Sequence, residues 1–98
     1  MPRNKCLRFI DNNPGCTFYK PAGIPMHKLS EVIIHLDEYE AVRLADFEGL
    51  YQEDAAKRMN ISRQTFGRII ESAHKKIADA LINGKAIKIE GRNIEIIS

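Results

Sequence analysis

Tryptophan is absent from the chain of 98 residues, and four Phe and three Tyr are the only aromatics. Its core must therefore come mostly from Ile, Leu, Val and Ala. Cysteine is scarce too: Cys6 and Cys16 are too few for a disulfide framework. No uninterrupted apolar run exceeds three residues, as in Val32 to Ile34, which excludes a transmembrane helix and a signal-peptide core. The chain opens Met-Pro-Arg-Asn-Lys and is expected to be cytoplasmic, with no membrane partner. A phosphate-cradling glycine loop, a nucleophile elbow and any Ser-His-Asp grouping are missing. No enzyme is expected, and no catalytic residue.

What is present is a charge pattern hidden under a net charge of +2. Residues 1–30 carry five bases against one acid, and residues 31–56 carry eight acids against Arg43. Residues 57–76 then carry six bases (Lys57, Arg58, Arg63, Arg68, Lys75, Lys76) against Glu71. A basic block directly after an acidic one points to a polyanionic partner for the basic part; a solvated helix face is the plainer alternative.

One domain, 1–98, is expected, of α+β class and mainly α. All four prolines fall within residues 1–28, so residues 1–36 read as an extended, partly β segment. Its strand-compatible runs are CLRFI, CTFYK and EVIIHL. The period then changes from 2 to 3.6, and residues 37–84 read as three helices, about 37–48, 52–59 and 63–82. Asp37 with Glu40 three residues later has capping-box spacing, Gly49 ends the first helix, and Asn83-Gly84 ends the third. In the tail, residues 85–98, Ile87, Ile89, Ile94 and Ile96 alternate with charged residues, which reads as a β-hairpin with an isoleucine face.

Residues 52–71, QEDAAKRMNISRQTFGRIIE, have the grammar of a helix-turn-helix. Ala56 is small enough for a steep helix crossing. Asn60 tolerates left-handed dihedrals, Ile61 is a buried aliphatic of the turn, and Ser62 is a good N-cap. Phe66 and Ile69 face back into the core. Arg63, Gln64, Thr65 and Arg68 are left facing outward as candidates for DNA base contacts, since Arg forks onto guanine and Gln onto adenine. Lys57, Arg58, Ser62, Ser72, Lys75 and Lys76 are candidates for the DNA backbone. Gly67 inside the helix costs about 1 kcal/mol relative to Ala, and either close approach to a partner or simple tolerance accounts for it.

The turn KPAGIP, the segment LADFEG and the segment SRQTFGRI together resemble uncharacterised protein family 0251, over roughly Arg3 to Gly91. That resemblance implies a DNA-binding, winged-helix-like transcription regulator, with a helix-turn-helix similar to region four of sigma-70-type factors. By matching positions it also places Arg63, Gln64, Thr65 and Arg68 where that helix touches a promoter. The chain departs from the pattern at Gly67, where sigma factors commonly carry another base, and at Tyr51, where family members usually have a capping Ser. Some relatives carry a C-terminal domain resembling iron–molybdenum-cofactor-binding proteins. With its end at Ser98, this chain is expected to lack it.

Cys6, Cys16, His27 and His35 have no zinc-ligand spacing, so no metal and no cofactor are expected, the histidines lying at the surface. His74 reads as a partly exposed helix histidine. The acids Asp37, Glu38, Glu40, Asp46, Glu48, Glu53 and Asp54 read as helix-start placements and a solvated face. The leading expectation is sequence-specific binding of double-stranded DNA. Two alternatives stand beside it: a protein-interaction adaptor whose acidic segment 37–54 meets RNA polymerase or another basic protein, and a metal- or redox-responsive regulator acting through Cys6 and Cys16. The isoleucine face of the tail also suggests a homodimer. Sedimentation at micromolar concentration checks this, with a dimer expected and a clean 11.2 kDa species rejecting it.

Overall fold

At His35 the chain passes from strand to helix with no loop between them. The structure, a computed structural model, describes residues 8–10, 17–91 and 94–96. Strand β1 is Arg8–Ile10, β2 is Phe18–Tyr19 and β3 is Glu31–His35. Helix α1, Leu36–Val42, continues as a wider turn over Arg43–Phe47, where the Glu48 N–H donates to the Arg43 carbonyl at 2.9 Å. Gly49, at φ +77°, then reverses the chain. Helix α2 is Gln52–Arg58, α3 is Arg63–Asn83, β4 is Ala86–Glu90 and β5 is Ile94–Ile96. The chain is thus α+β and mainly helical, as expected.

Strand β4 is central in a three-stranded sheet of order β2-β4-β3. It runs antiparallel to β2, with Tyr19 opposite Ile87, and parallel to β3, with Val32 opposite Ile87 and Ile34 opposite Ile89. A parallel pair requires a long crossover. Here the crossover is the whole helical unit from Leu36 to Lys85, whose two ends are therefore pinned side by side. The expected hairpin is not formed. Both edges of β4 are occupied by β2 and β3, so β5 pairs instead with β1, in parallel. Alternation specifies which face a strand buries but not its partner. Ile89 is buried and Ile87 half-buried within the chain, so these two residues no longer argue for a dimer.

The helical core consists of Ala41, Leu44, Ala55, Ala56, Met59, Phe66, Ile69 and Ile70, all buried. Ile34, Ala73, Ala80, Ala86 and Ile89 extend burial to the sheet. Six of these thirteen residues are alanine, and Phe66 heads the large side chains that are fully buried.

The start of α1 corrects three expectations. The N-cap is His35 rather than Asp37, because the strand feeds straight into the helix. Glu38, three residues on, accepts the His35 backbone N–H at 2.9 Å. The side-chain Nδ1 of His35 is buried with no hydrogen-bond partner among the described residues, so this histidine is not a surface one. Asp37, Glu38 and Glu40 are buried, not solvated. Buried carboxylates need partners, and these have them. Asp37 Oδ1 accepts the Glu38 N–H at 2.8 Å, and Glu40 holds the Arg43 guanidinium through two bonds of 2.8 Å.

Glu38 has the widest reach. Its side chain is 3% exposed, and its Oε1 also accepts from Lys76 Nζ at 2.8 Å, while Oε2 accepts the Ser72 hydroxyl at 2.6 Å. Lys76 Nζ donates in addition to the Ile33 carbonyl at 2.7 Å. One carboxylate therefore joins β3, α1 and α3. Burial pushes the Glu38 carboxyl up, but the hydrogen bonds from Lys76, Ser72 and the His35 N–H, with the charge of Lys76, outweigh it and hold the group below its usual 4.5.

A carboxyl held low in the folded state stabilises fully above its unfolded value, and that contribution is lost as pH falls through the lowered one. Urea unfolding of the native chain should therefore weaken progressively below about pH 4.5. Glu38→Gln should lower stability by about 2 kcal/mol at pH 7 and remove much of the acid dependence, the partly exposed Lys76 making the loss smaller than for an enclosed pair. An unchanged acid profile in Glu38→Gln would show that the junction is not a stabilising one.

Candidate nucleic-acid interface

Helix α2 meets α3 through four residues, Met59 to Ser62. Ala55 and Ala56, without bulk, let the second helix press against the first, and both are buried. The Met59 N–H and the Ile61 N–H each return to the Ala56 carbonyl at 3.1 Å. Asn60 sits at φ +61°, the one non-glycine residue among those described with a left-handed backbone. Ser62 then starts α3: its Oγ accepts the Thr65 N–H at 3.1 Å and donates to Thr65 Oγ1 at 2.9 Å.

At about 100° per residue, Gln64, Arg68, Glu71 and Lys75 form one stripe along α3, opposite buried Phe66, Ile70 and Ala73, and all four are exposed. Arg63, about 100° round the helix from Gln64, is exposed at the helix start as well. Among the described residues, none of these five side chains makes a hydrogen bond or ion pair. The first turn of α3 holds no acid, whereas α1 has Asp37 and Glu38 there and α2 has Glu53 and Asp54. The positive end of the α3 dipole is thus left without an intrahelical anion and has Arg63 beside it.

The chain matches a family described as a protein of unknown function, DUF134, over residues 1–97. It belongs to that family. A UPF0251 protein of Thermoanaerobacter pseudethanolicus is 52% identical over 96 residues, covering 98% of this chain and 81% of its own length. A UPF0251 protein of Prosthecochloris aestuarii is 57% identical over 89 residues, covering 91% of this chain and 57% of its own length. One of Moorella thermoacetica is 54% identical over 91 residues, covering 93% of this chain and 61% of its own. The resemblance to family 0251 read from the sequence is the same membership. No solved structure matches the chain.

Within this family member, the residues singled out from sequence fall into three groups. Arg63, Gln64, Arg68, Lys57, Arg58 and Lys75 are exposed near the turn or along α3. Ser72 and Lys76 are not with them: both are half-buried and bound to Glu38. Thr65 and Ser62 spend their hydroxyls on the cap. His74 Nε2 lies 2.6 Å from Asp46 Oδ2, tying α3 to the turn after α1. A Cβ at Gly67 would stand 3.6 Å from Gln52 Oε1, an ordinary contact, so this glycine answers no steric demand inside the fold.

Sequence reasoning passed over the Glu38–Ser72–Lys76 group. The usable signal was that Ser72 and Lys76 are four apart, on the flank next to apolar Ile69 and Ala73, where a neighbouring helix would meet them. Cys6 and Cys16 lie outside the described residues. Among those described, no group of three or more His, Cys, Asp or Glu is placed to hold a metal ion.

The scaffold of this surface should show in stability. Phe66→Ala should cost about 3–5 kcal/mol, because it empties the centre of the core. Ser62→Ala should cost about 1 kcal/mol by freeing the Thr65 N–H. Urea midpoints measure both, and an unaffected Ser62→Ala would mean that the cap does not fix the start of α3.

Proposed function

We propose that this chain binds double-stranded DNA as a transcription regulator, with α2, the turn and α3 acting as a helix-turn-helix and α3 as its recognition helix. The observation that carries this reading is the start of α3. Arg63, Gln64 and Arg68 are exposed and uncommitted, beside a helix N-terminus that carries no acid. For a free protein this arrangement is unfavourable electrostatically; facing a phosphate-lined groove, it is favourable. Arg63, Gln64 and Arg68 read bases, while Lys57, Arg58 and Lys75 hold phosphates. A single such unit covers one half-site, and two copies of the chain would read two. No helix among the described residues is long and apolar enough to cross a membrane.

A second reading has its own observation. Phe47 is 84% exposed and Tyr51 82%, and the exposed acids Asp46, Glu48, Glu53 and Asp54 surround them in sequence. Exposed aromatics among acids favour a protein adaptor whose partner is basic, RNA polymerase among them. The buried Asp37, Glu38 and Glu40 take no part in that surface.

Fluorescence titration of a labelled duplex at several salt concentrations separates the two. DNA binding predicts a log–log salt slope of roughly −4 per protomer, for four or five neutralised phosphates, and loss of most of the affinity in Arg63→Ala/Arg68→Ala. No binding to any duplex, or a flat salt response, would reject the DNA reading. A basic protein partner lost in Phe47→Ala/Tyr51→Ala would then favour the adaptor.

A further inference from the structure

We propose that Glu71 is a further base-reading residue that selects a cytosine, an inference that rests on the DNA reading above. Glu71 is the one acid among the exposed residues of the stripe Gln64, Arg68, Glu71 and Lys75. It stands three residues after Arg68 and four before Lys75, both helical ion-pair spacings, the latter in the favourable orientation. Yet its side chain makes no ion pair or hydrogen bond among the described residues. A carboxylate on a helix face that meets phosphates repels them, so its presence there weakens all DNA binding unless it gains a contact of its own.

The chemistry of the groove limits what that contact is. An ionised carboxylate only accepts hydrogen bonds. In the major groove the matching donor without an adjacent acceptor demanding a fork is the cytosine N4 amino group. Gln64 to Glu71 spans seven residues, about 10 Å along the helix, or roughly three base-pair steps. Gln64, Arg68 and Glu71 therefore address a short run in which an adenine, a guanine and a cytosine are the favoured identities. The surrounding cations supply affinity to any sequence, and Glu71 withdraws it from sequences that lack the cytosine. This is discrimination by a repulsive element.

The test uses the full chain. Duplexes bound by the native protein, Glu71→Ala and Glu71→Gln are selected from a random pool, and affinities are measured for the winner and its single-position variants. The native protein is expected to select a cytosine at one position, with about tenfold discrimination over other bases there. Glu71→Ala should lose that preference alone, and should bind random duplex about two- to threefold more tightly. Glu71→Gln should shift the preference toward adenine. Thermal unfolding should be nearly the same in all three, since the exposed Glu71 side chain makes no hydrogen bond or ion pair among the described residues. If Glu71→Ala binds every duplex more tightly with an unchanged consensus, Glu71 only tempers charge and the inference fails while DNA binding stands. If the native protein binds no duplex, both fail.

Discussion

The buried carboxylate of Glu38 is the point on which the arrangement of helices depends. It caps α1 through the His35 N–H and takes the Ser72 hydroxyl and the Lys76 ammonium from α3. Lys76 in turn reaches the Ile33 carbonyl on β3. A charge taken out of water destabilises unless it is fully partnered, so strand, first helix and third helix must come together for any of the three to be stable. The parallel pairing of β3 with β4 holds the C-terminal end of α3 beside the same strand. The pose of α3 is therefore set from its middle and its C-terminal end, away from its exposed start.

That constraint divides the bases of α3 by role. Adjacent lysines go to opposite uses: Lys76 is bound within the fold, and Lys75 stands exposed and uncommitted on the outer stripe. The same division runs through the acids. Asp37, Glu38 and Glu40 belong to the interior, while Asp46, Glu48, Glu53 and Asp54 lie outside. Three buried carboxylates, each partnered, thus sit beside the apolar core, while most charges of the described residues face solvent.

Much of the helical unit was legible in the sequence because its signals are local. Ser62 as cap, Asn60 in the left-handed turn and Gly84 closing α3 at φ +65° are each decided within a few residues. Tyr51, a poor cap by its chemistry, indeed makes no side-chain capping bond. The misreadings are of non-local features. Asp37 has the spacing of a cap, but β3 runs into the helix two residues earlier than that spacing implies. The isoleucine alternation of the tail marked strands without showing that β2 and β3 claim both edges of β4. Lys76 sits in a basic block, and only the fold shows that it faces a buried acid 38 residues away.

Under the proposed DNA-binding role, the two sides of α3 have separate tasks, one holding the fold and the other meeting DNA. Comparing Lys75→Ala with Lys76→Ala tests this division most directly, with both unfolding midpoint and affinity for a duplex measured on each. Lys75→Ala should keep the midpoint and lose severalfold in affinity. Lys76→Ala should lower stability by about 2–3 kcal/mol and, where still folded, bind the duplex as the native chain does. The reverse pattern, with affinity lost in Lys76→Ala at unchanged stability, would contradict the division.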